Sequence, residues 1–234
     1  MNRHPFVRET ERTDISQPTP TDRFDEISGI DSKALLKPKP IALVVTQSET
    51  EGPNLMTAAW WMVAGYNPFR YLLGVSQKTY TYEIIEENPE FVLSVPSTEM
   101  VDALTLSGMV SGRELDKIEH LGLETIPGGA VDVPILADAV GNIECSVLDS
   151  FEFENVTYYF GAVEKAWVTK GGMDGRLLSL GSDVLAYMGS DWADEDDDTK
   201  HRFYVDLGPE NLDSYPGDEV IESLPEELRE KHRN

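Results

Sequence analysis

The apolar positions of this chain change period along its length, and the changes mark out its elements. The run IALVV at 41–45 is continuously apolar and rich in branched residues, which predicts a buried strand. A polar turn through Gly52 and Pro53 leads to a second predicted strand, 55–64, and a breaker at Gly65 and Asn67-Pro68 separates it from a third, 71–75. The period then shifts to helical: Tyr80, Ile84 and Ile85 recur at helical spacing within 79–88, threonines open the segment, and Pro89 follows it. Residues 91–95 return to strand. Ser97 is placed to cap a further helix with Met100, Val101, Leu104 and Met109 along it, and 112–122 reads as another short helical piece with Gly122 at its C′ position. After a connector rich in Gly and Pro, 142–153 and 158–169 read as the two arms of a long hairpin, the second alternating with period two.

Six or seven strands with short helices inserted between them, and no regular strand–helix alternation, predict a mainly β fold, a small antiparallel barrel. Residues 1–31 read as an extended leader, 32–190 as the compact domain and 191–234 as an acidic C-terminal extension with a short helix over 225–231. Residues 171–189 are expected to return to the barrel or to form part of a subunit interface. No internal repeat is found.

Charge narrows the choice of partners. The chain's 43 acidic against 19 basic side chains give a net charge of −24, which repels polyanions at long range and speaks against nucleic acid or an anionic membrane. Residues 191–234 hold 15 acids and 5 bases, leaving 28 acids and 14 bases on the remainder, so the acidity is global. A carboxylate surface with only 9 lysines suits a salt-rich, halophilic cytoplasm, where screening removes the self-repulsion; a merely acidic mesophilic protein is the other reading. The 40% hydrophobic content supplies a core, so this is not the acidity of a disordered chain. Cys145 is the single cysteine, which excludes an internal disulfide and favours the cytosol. The longest apolar run, 58–64, is far short of the roughly 20 residues a spanning helix needs, and no signal-type leader opens the chain. A soluble cytoplasmic protein is expected.

Candidate chemistry starts from what is missing. No Gly-rich dinucleotide or phosphate-loop fingerprint, no H-E-x-x-H and no G-x-S-x-G occurs. His4, His120, His201 and His232 are scattered, which makes a His-based metal site or a Ser/His triad hard to build. Only His120 falls in the compact part, where it suits the last turn of a helix. Three segments carry more. In the first, Asn54, Thr57, Ala58 and Ala59 place small residues beside a polar turn, which lets a flat heteroaromatic ligand approach the backbone; a barrel strand whose alanines fit a narrow interior is the plainer reading. In the second, Ser76, Lys78, Thr79 and Thr81 bring hydroxyls and a cation to a helix start, the ingredients of a phosphate site; ordinary capping with Lys78 solvated is the alternative. In the third, the Ser107-Gly and Ser111-Gly pairs with Arg113 and Lys117 offer a second anion contact or a lid. Its alternative is a break between helices, with the two cations paired locally to Glu114 and Asp116. Cys145 reads as a buried, unreactive thiol.

The order of these segments, KPIALVVT, GPNLMTAAWW, NPFRYLLGVSQKTYTYEIIEENPEFVLSVPS and LSGMVSGRELDKIEHLGLE, resembles the flavin reductase-like family of FMN-binding split barrels, of flavoredoxin type, over about residues 35–190. The resemblance implies a homodimer of six-stranded antiparallel split barrels with one FMN per subunit near the interface. It implies that Asn54, Thr57, Ala58 and Ala59 lie along the isoalloxazine, that Ser76, Lys78, Thr79 and Thr81 hold the ribityl phosphate, and that Ser111 and Lys117 close over the phosphate side. Asn67-Pro68-Phe69 and the paired Trp60-Trp61 depart from the usual pattern, and the tryptophans imply a more aromatic flavin rim. The activity implied is an NAD(P)H-dependent flavin reductase, with no side-chain base required. The alternatives are an FMN electron carrier serving protein partners and a non-enzymatic dimeric binding protein. No metal site is expected.

Overall fold

The computed structural model describes residues 25–29, 31–36, 39–170, 173–174, 177–178, 185–192 and 200–206. The chain divides into two units, Met1–Leu36 and Lys37–Asn234. In the first, a short 3-10 helix covers Asp31–Leu36, and the Ser32 hydroxyl donates to the Gly29 carbonyl at 2.6 Å. The terminal helix expected over 225–231 lies outside the described residues.

The second unit opens with strands β1 (Lys39–Pro40), β2 (Ala42–Ser48), β3 (Gly52–Ala58), β4 (Trp61–Tyr66) and β5 (Phe69–Ser76). Helix α1 (Tyr80–Glu87) and β6 (Glu90–Val95) follow, then α2 (Val101–Ser107) and α3 (Lys117–Leu121). Two short strands, β7 (Thr125–Ile126) and β8 (Ile135–Leu136), precede the long hairpin of β9 (Gly141–Phe153) and β10 (Val156–Val168). The described remainder is β11 (Met173–Asp174), β12 (Leu177–Leu178), β13 (Leu185–Trp192) and β14 (Lys200–Asp206). Strand β13 pairs with β1 and β14, and it runs across the boundary expected at 190.

The architecture is the mainly β, antiparallel split barrel that the sequence predicts. Its large sheet has seven strands in the order β3-β2-β6-β9-β10-β5-β4, where six were expected. One correction explains part of the difference: residues 55–64 form two strands, because the chain leaves the β2 edge at Ala59 and joins β5 from Trp61 onward. The two edge strands of the sheet are therefore consecutive in the chain and only two residues apart. A sheet so joined has to curl until its edges nearly meet. The Gly74 N–H donates to the Trp60 carbonyl at 2.8 Å and steadies the crossing.

Alternation along the central strands sends side chains into two separate cores. Ala42 and Val44 of β2 and Phe91 and Leu93 of β6 point into the barrel interior with Leu73, Val75, Ile85 and Tyr159. Leu43, Val45 and Val92 point the other way and pack with Leu104, Ile118, Val131, Val133 and Leu136. Both faces of β2 are thus covered, which is why its sequence shows no polar alternation. Cys145 lies in the interior core, fully buried, and burial pushes its thiol up to about 12.

The short helices follow their local signals closely. Thr79 caps α1 by accepting from the Tyr82 N–H at 3.3 Å, and Asp116 caps α3 by accepting from the N–H groups of Ile118 and Glu119 at 3.0 Å. Gly122 ends α3 in the left-handed region at φ 62°, where an L side chain is disfavoured. Two expectations need correcting. Ser97 starts the 3-10 turn before α2 without a side-chain cap bond, and only Lys117–Leu121 of the 112–122 segment is helical.

Candidate functional site

Strand β3 lies at an edge of the large sheet, and among the described residues one side of its backbone has no strand partner. A cavity of about 290 Å³ opens beside it, walled by Asn54–Thr57 of β3, by Lys78–Thr81 at the start of α1, and by Ser107–Gly112 with Lys117 from the α2–α3 junction. Three segments far apart in sequence meet because the curl of the sheet brings β3 against both helical insertions. A second cavity of about 210 Å³ lies next to it, sharing Asn54, Tyr80, Gly112 and Lys117 and adding Glu51, Arg113, Glu114 and Asp116.

Of the residues picked out from sequence, Asn54, Thr57, Lys78, Thr79, Thr81, Ser111 and Lys117 line the first cavity. Ala58 is buried in the barrel core, and Ala59 and Ser76 lie outside the lining. The Ser76 carbonyl instead accepts from the Thr79 hydroxyl at 2.8 Å and holds the turn into α1. Trp60 and Trp61 are also absent from the lining. Trp61 packs edge-on to Tyr71 at 5.6 Å, and Trp60 is 60% exposed on the sheet's outer face.

Several polar groups in the wall are already committed. Asn54, buried, donates through Nδ2 to the Thr81 hydroxyl at 3.0 Å and to the Thr46 hydroxyl at 3.3 Å, which ties β3 to α1. The Thr57 hydroxyl donates to the Leu104 carbonyl at 2.6 Å and satisfies one of the free carbonyls near the C-terminus of α2. Gly112 packs directly against the Asn54 amide oxygen; a Cβ there would also stand 2.8 Å from the Tyr80 ring. Only glycine lets the 107–112 segment approach β3 this closely.

Other groups remain available. Lys117 is 3% exposed and donates to the Val110 carbonyl at 3.1 Å, which uses one of its three N–H donors. Burial lowers its pKa, and the neighbouring Asp116 charge only partly opposes this. The sole ion pair among the described residues is Arg113 with Glu83, and Arg113 also lies 5.4 Å over the Tyr80 ring. That pairing corrects the expectation that Arg113 bonds locally to Glu114 or Asp116, because the fold turns its guanidinium toward α1. The two helix ends at the cavity have opposite polarity: α1 presents its N-terminus, favourable to an anion, while α2 presents its C-terminus, unfavourable to one.

Sequence reasoning named Ser107, Gly108 and Gly112 of the wall only as members of the Ser-Gly pairs, and it missed Leu55, Met56, Tyr80, Met109 and Val110. The doubled Ser-Gly pair, which flanks Met109 and Val110, was the available signal for those two. Outside the cavity, it also missed Glu144, a fully buried carboxylate on β9. This carboxylate accepts from the backbone N–H groups of Gly129, Ala130 and Val131 at 2.6–3.0 Å and from the Trp167 indole N–H. Among the described residues no group of His, Cys, Asp and Glu is arranged to hold a metal ion, and no helix is long and apolar enough to cross a membrane.

A curated protein of Pyrococcus abyssi, described as uncharacterized, is 31% identical over 154 residues, spanning 66% of this chain and 88% of its own. Among solved structures, the flavoredoxin of Desulfovibrio vulgaris (Miyazaki F) is 26% identical with a TM-score of 0.64, covering 78% of this chain and 93% of that one. The flavoredoxin from Methanosarcina acetivorans is 23% identical with a TM-score of 0.67, covering 84% of this chain and 100% of that one. The family model of the flavin reductase like domain matches residues 36–190, well over half of the chain and inclusive of every wall of the cavity, and the chain belongs to that family.

Proposed function

We propose that this chain is an FMN-binding oxidoreductase that works as an NAD(P)H-dependent flavin reductase. The observation that carries the reading is the cavity's polarity. In a protein of net charge −24, a buried ammonium that forms no ion pair among the described residues, with only the neighbouring Asp116 charge to offset it, faces the same small space as the N-terminus of α1. An anionic ligand would relieve both, since an uncompensated buried charge is costly. The donor set fits FMN. Lys78, Thr81 and Ser111 would hold the phosphate, Thr79 would shape the turn beneath it because its N–H and hydroxyl both donate to the Ser76 carbonyl, and the free edge of β3 from Asn54 onward would run along the ring. The hydroxyl of Thr57 is spent on α2, so that residue offers its backbone. Ala58 and Ala59 keep this stretch of strand narrow, and Ser76 shapes the phosphate turn through its carbonyl. Lys117 closes the wall from the other side.

Bound there, FMN supplies the electron transfer, while the protein orients the ring and excludes water. The exposed outer face of the sheet supports a homodimer. Trp60, Met62 and Phe151, 60%, 61% and 47% exposed, share it with Leu72, Tyr158 and Phe160, and Phe151 stacks on Tyr158 at 4.9 Å. An apolar area of this kind suits a second copy of the chain. The dispersed acidity suits a salt-rich cytoplasm.

The test is the absorbance spectrum of purified protein in molar salt, followed by anaerobic titration with NADH and with NADPH. Flavin bands bleached by either nucleotide support the proposal. Bound FMN with no oxidation of either nucleotide, in the presence of flavin or ferric acceptors, refutes the reductase reading. That outcome would favour the second reading, an FMN electron carrier with protein partners, which the likeness to two flavoredoxins supports.

A further inference from the structure

We infer that the Ser107 hydroxyl is a direct ligand contact, made to the polar edge of the flavin ring and not to its phosphate; the inference rests on the FMN reading above. Ser107 is the last residue of α2, is 5% exposed and lines the cavity. Among the described residues its Oγ has no hydrogen-bond partner. A serine at this position ordinarily donates back to the carbonyl three or four residues earlier. Here it does not. A buried hydroxyl without a partner costs free energy in the folded state, and the cost is removed if a ligand completes the bond. The neighbouring wall groups do not complete it: Thr57 donates to Leu104, Asn54 donates to Thr46 and Thr81, and Lys117 donates to Val110.

The polarity of the helix ends decides which part of the ligand Ser107 meets. The C-terminal end of α2 carries partial negative charge and disfavours a phosphate dianion. It tolerates a neutral heterocycle whose edge carries both carbonyl acceptors and an N–H donor. A hydroxyl can serve either, as donor or as acceptor. The phosphate is drawn instead to the N-terminal end of α1, where Thr79 caps the helix and Lys78 stands beside it. One cavity thus has an anion end and a neutral-edge end, and Ser107 marks the second.

The test is Ser107→Ala in the full chain, measured in molar salt with two ligands, FMN and riboflavin, by quenching of flavin fluorescence. The thermal midpoint of the flavin-free protein is measured alongside. The inference expects affinity for both flavins to fall about tenfold, while the flavin-free midpoint stays level or rises because an unsatisfied group has been removed. Unchanged affinity for both flavins overturns it. A loss confined to FMN also overturns it, since the contact would then be to phosphate. A flavin-free midpoint that drops by several degrees reveals an internal partner for the hydroxyl and overturns it too. A wild-type chain that binds neither flavin refutes the FMN reading, and this inference falls with it.

Discussion

Replacing Glu144 with Gln tests whether the buried carboxylate on β9 holds the connector between β7 and β8 in place. One carboxylate oxygen accepts from Gly129 at 3.0 Å and from the Trp167 indole; the other accepts from Gly129 at 3.0 Å, Ala130 at 2.6 Å and Val131 at 3.0 Å. Gln keeps the shape but turns one acceptor into a donor. In its better orientation the amide nitrogen faces Trp167, so the bonds to Ala130 and Val131 survive without charge assistance. The indole N–H is left facing another donor. A buried donor left without an acceptor costs about 1–3 kcal/mol, and the loss of charge assistance at the remaining bonds adds about 1 kcal/mol more. The expected destabilisation is about 3 kcal/mol, or a fall of about 6–12 °C in thermal midpoint for a domain of this size.

The effect depends on pH, and its sign is fixed by the carboxyl's environment. Burial alone would raise its pKa, but the bonds from Trp167, Gly129, Val131 and Ala130 outweigh burial and hold it below the ordinary 4.5. A carboxyl with a depressed folded-state pKa contributes its full stability above the unfolded value, and that contribution is lost as pH falls through the folded value. Thermal or urea denaturation in molar salt should therefore show a wide gap between wild type and variant at pH 7, narrowing below about pH 4.5. A variant within about 0.5 kcal/mol of wild type at pH 7, the scatter ordinary for surface substitutions, or a gap that stays constant into acid, refutes the reasoning.

Gly112→Ala drives a methyl group into the Asn54 amide oxygen and toward the Tyr80 ring, so flavin affinity in a fluorescence titration falls at least tenfold and the fold loses about 1–3 kcal/mol. Gly122→Ala, strained only by its backbone, should cost stability without changing flavin affinity. Lys117→Met keeps the buried stem and removes the charge, which weakens FMN binding about tenfold or more. In the wild type the same affinity falls with rising pH at a value below the ordinary lysine 10.5, because burial lowers this ammonium's pKa. The proposed homodimer predicts that the wild type sediments as a dimer and that Met62→Asp, which puts a charge in the middle of the exposed apolar face, sediments as a monomer.

Local chemistry was legible in the sequence by itself. The burial of β2, the capping of α1 by Thr79, the left-handed stop at Gly122 and the buried thiol of Cys145 each follow from a few adjacent residues, because periodicity and capping act over a turn or a strand. The acidity that speaks against polyanionic partners was equally plain. The candidate cavity was legible only as three separate segments.

The tertiary structure decided what those segments do to one another. Residues 55–64 split into two strands because the curl of the sheet, which no local pattern records, carries the chain from one edge to the other. That same curl buries Lys117, which its sequence neighbours would leave in solvent, and turns Arg113 toward Glu83, thirty positions earlier. It spends the Thr57 hydroxyl on Leu104, and it leaves Ser107 without a partner among the described residues. Which polar groups are satisfied inside the protein, and which remain for a ligand, depends on distances between residues far apart in the chain, and those distances exist only once the barrel has closed.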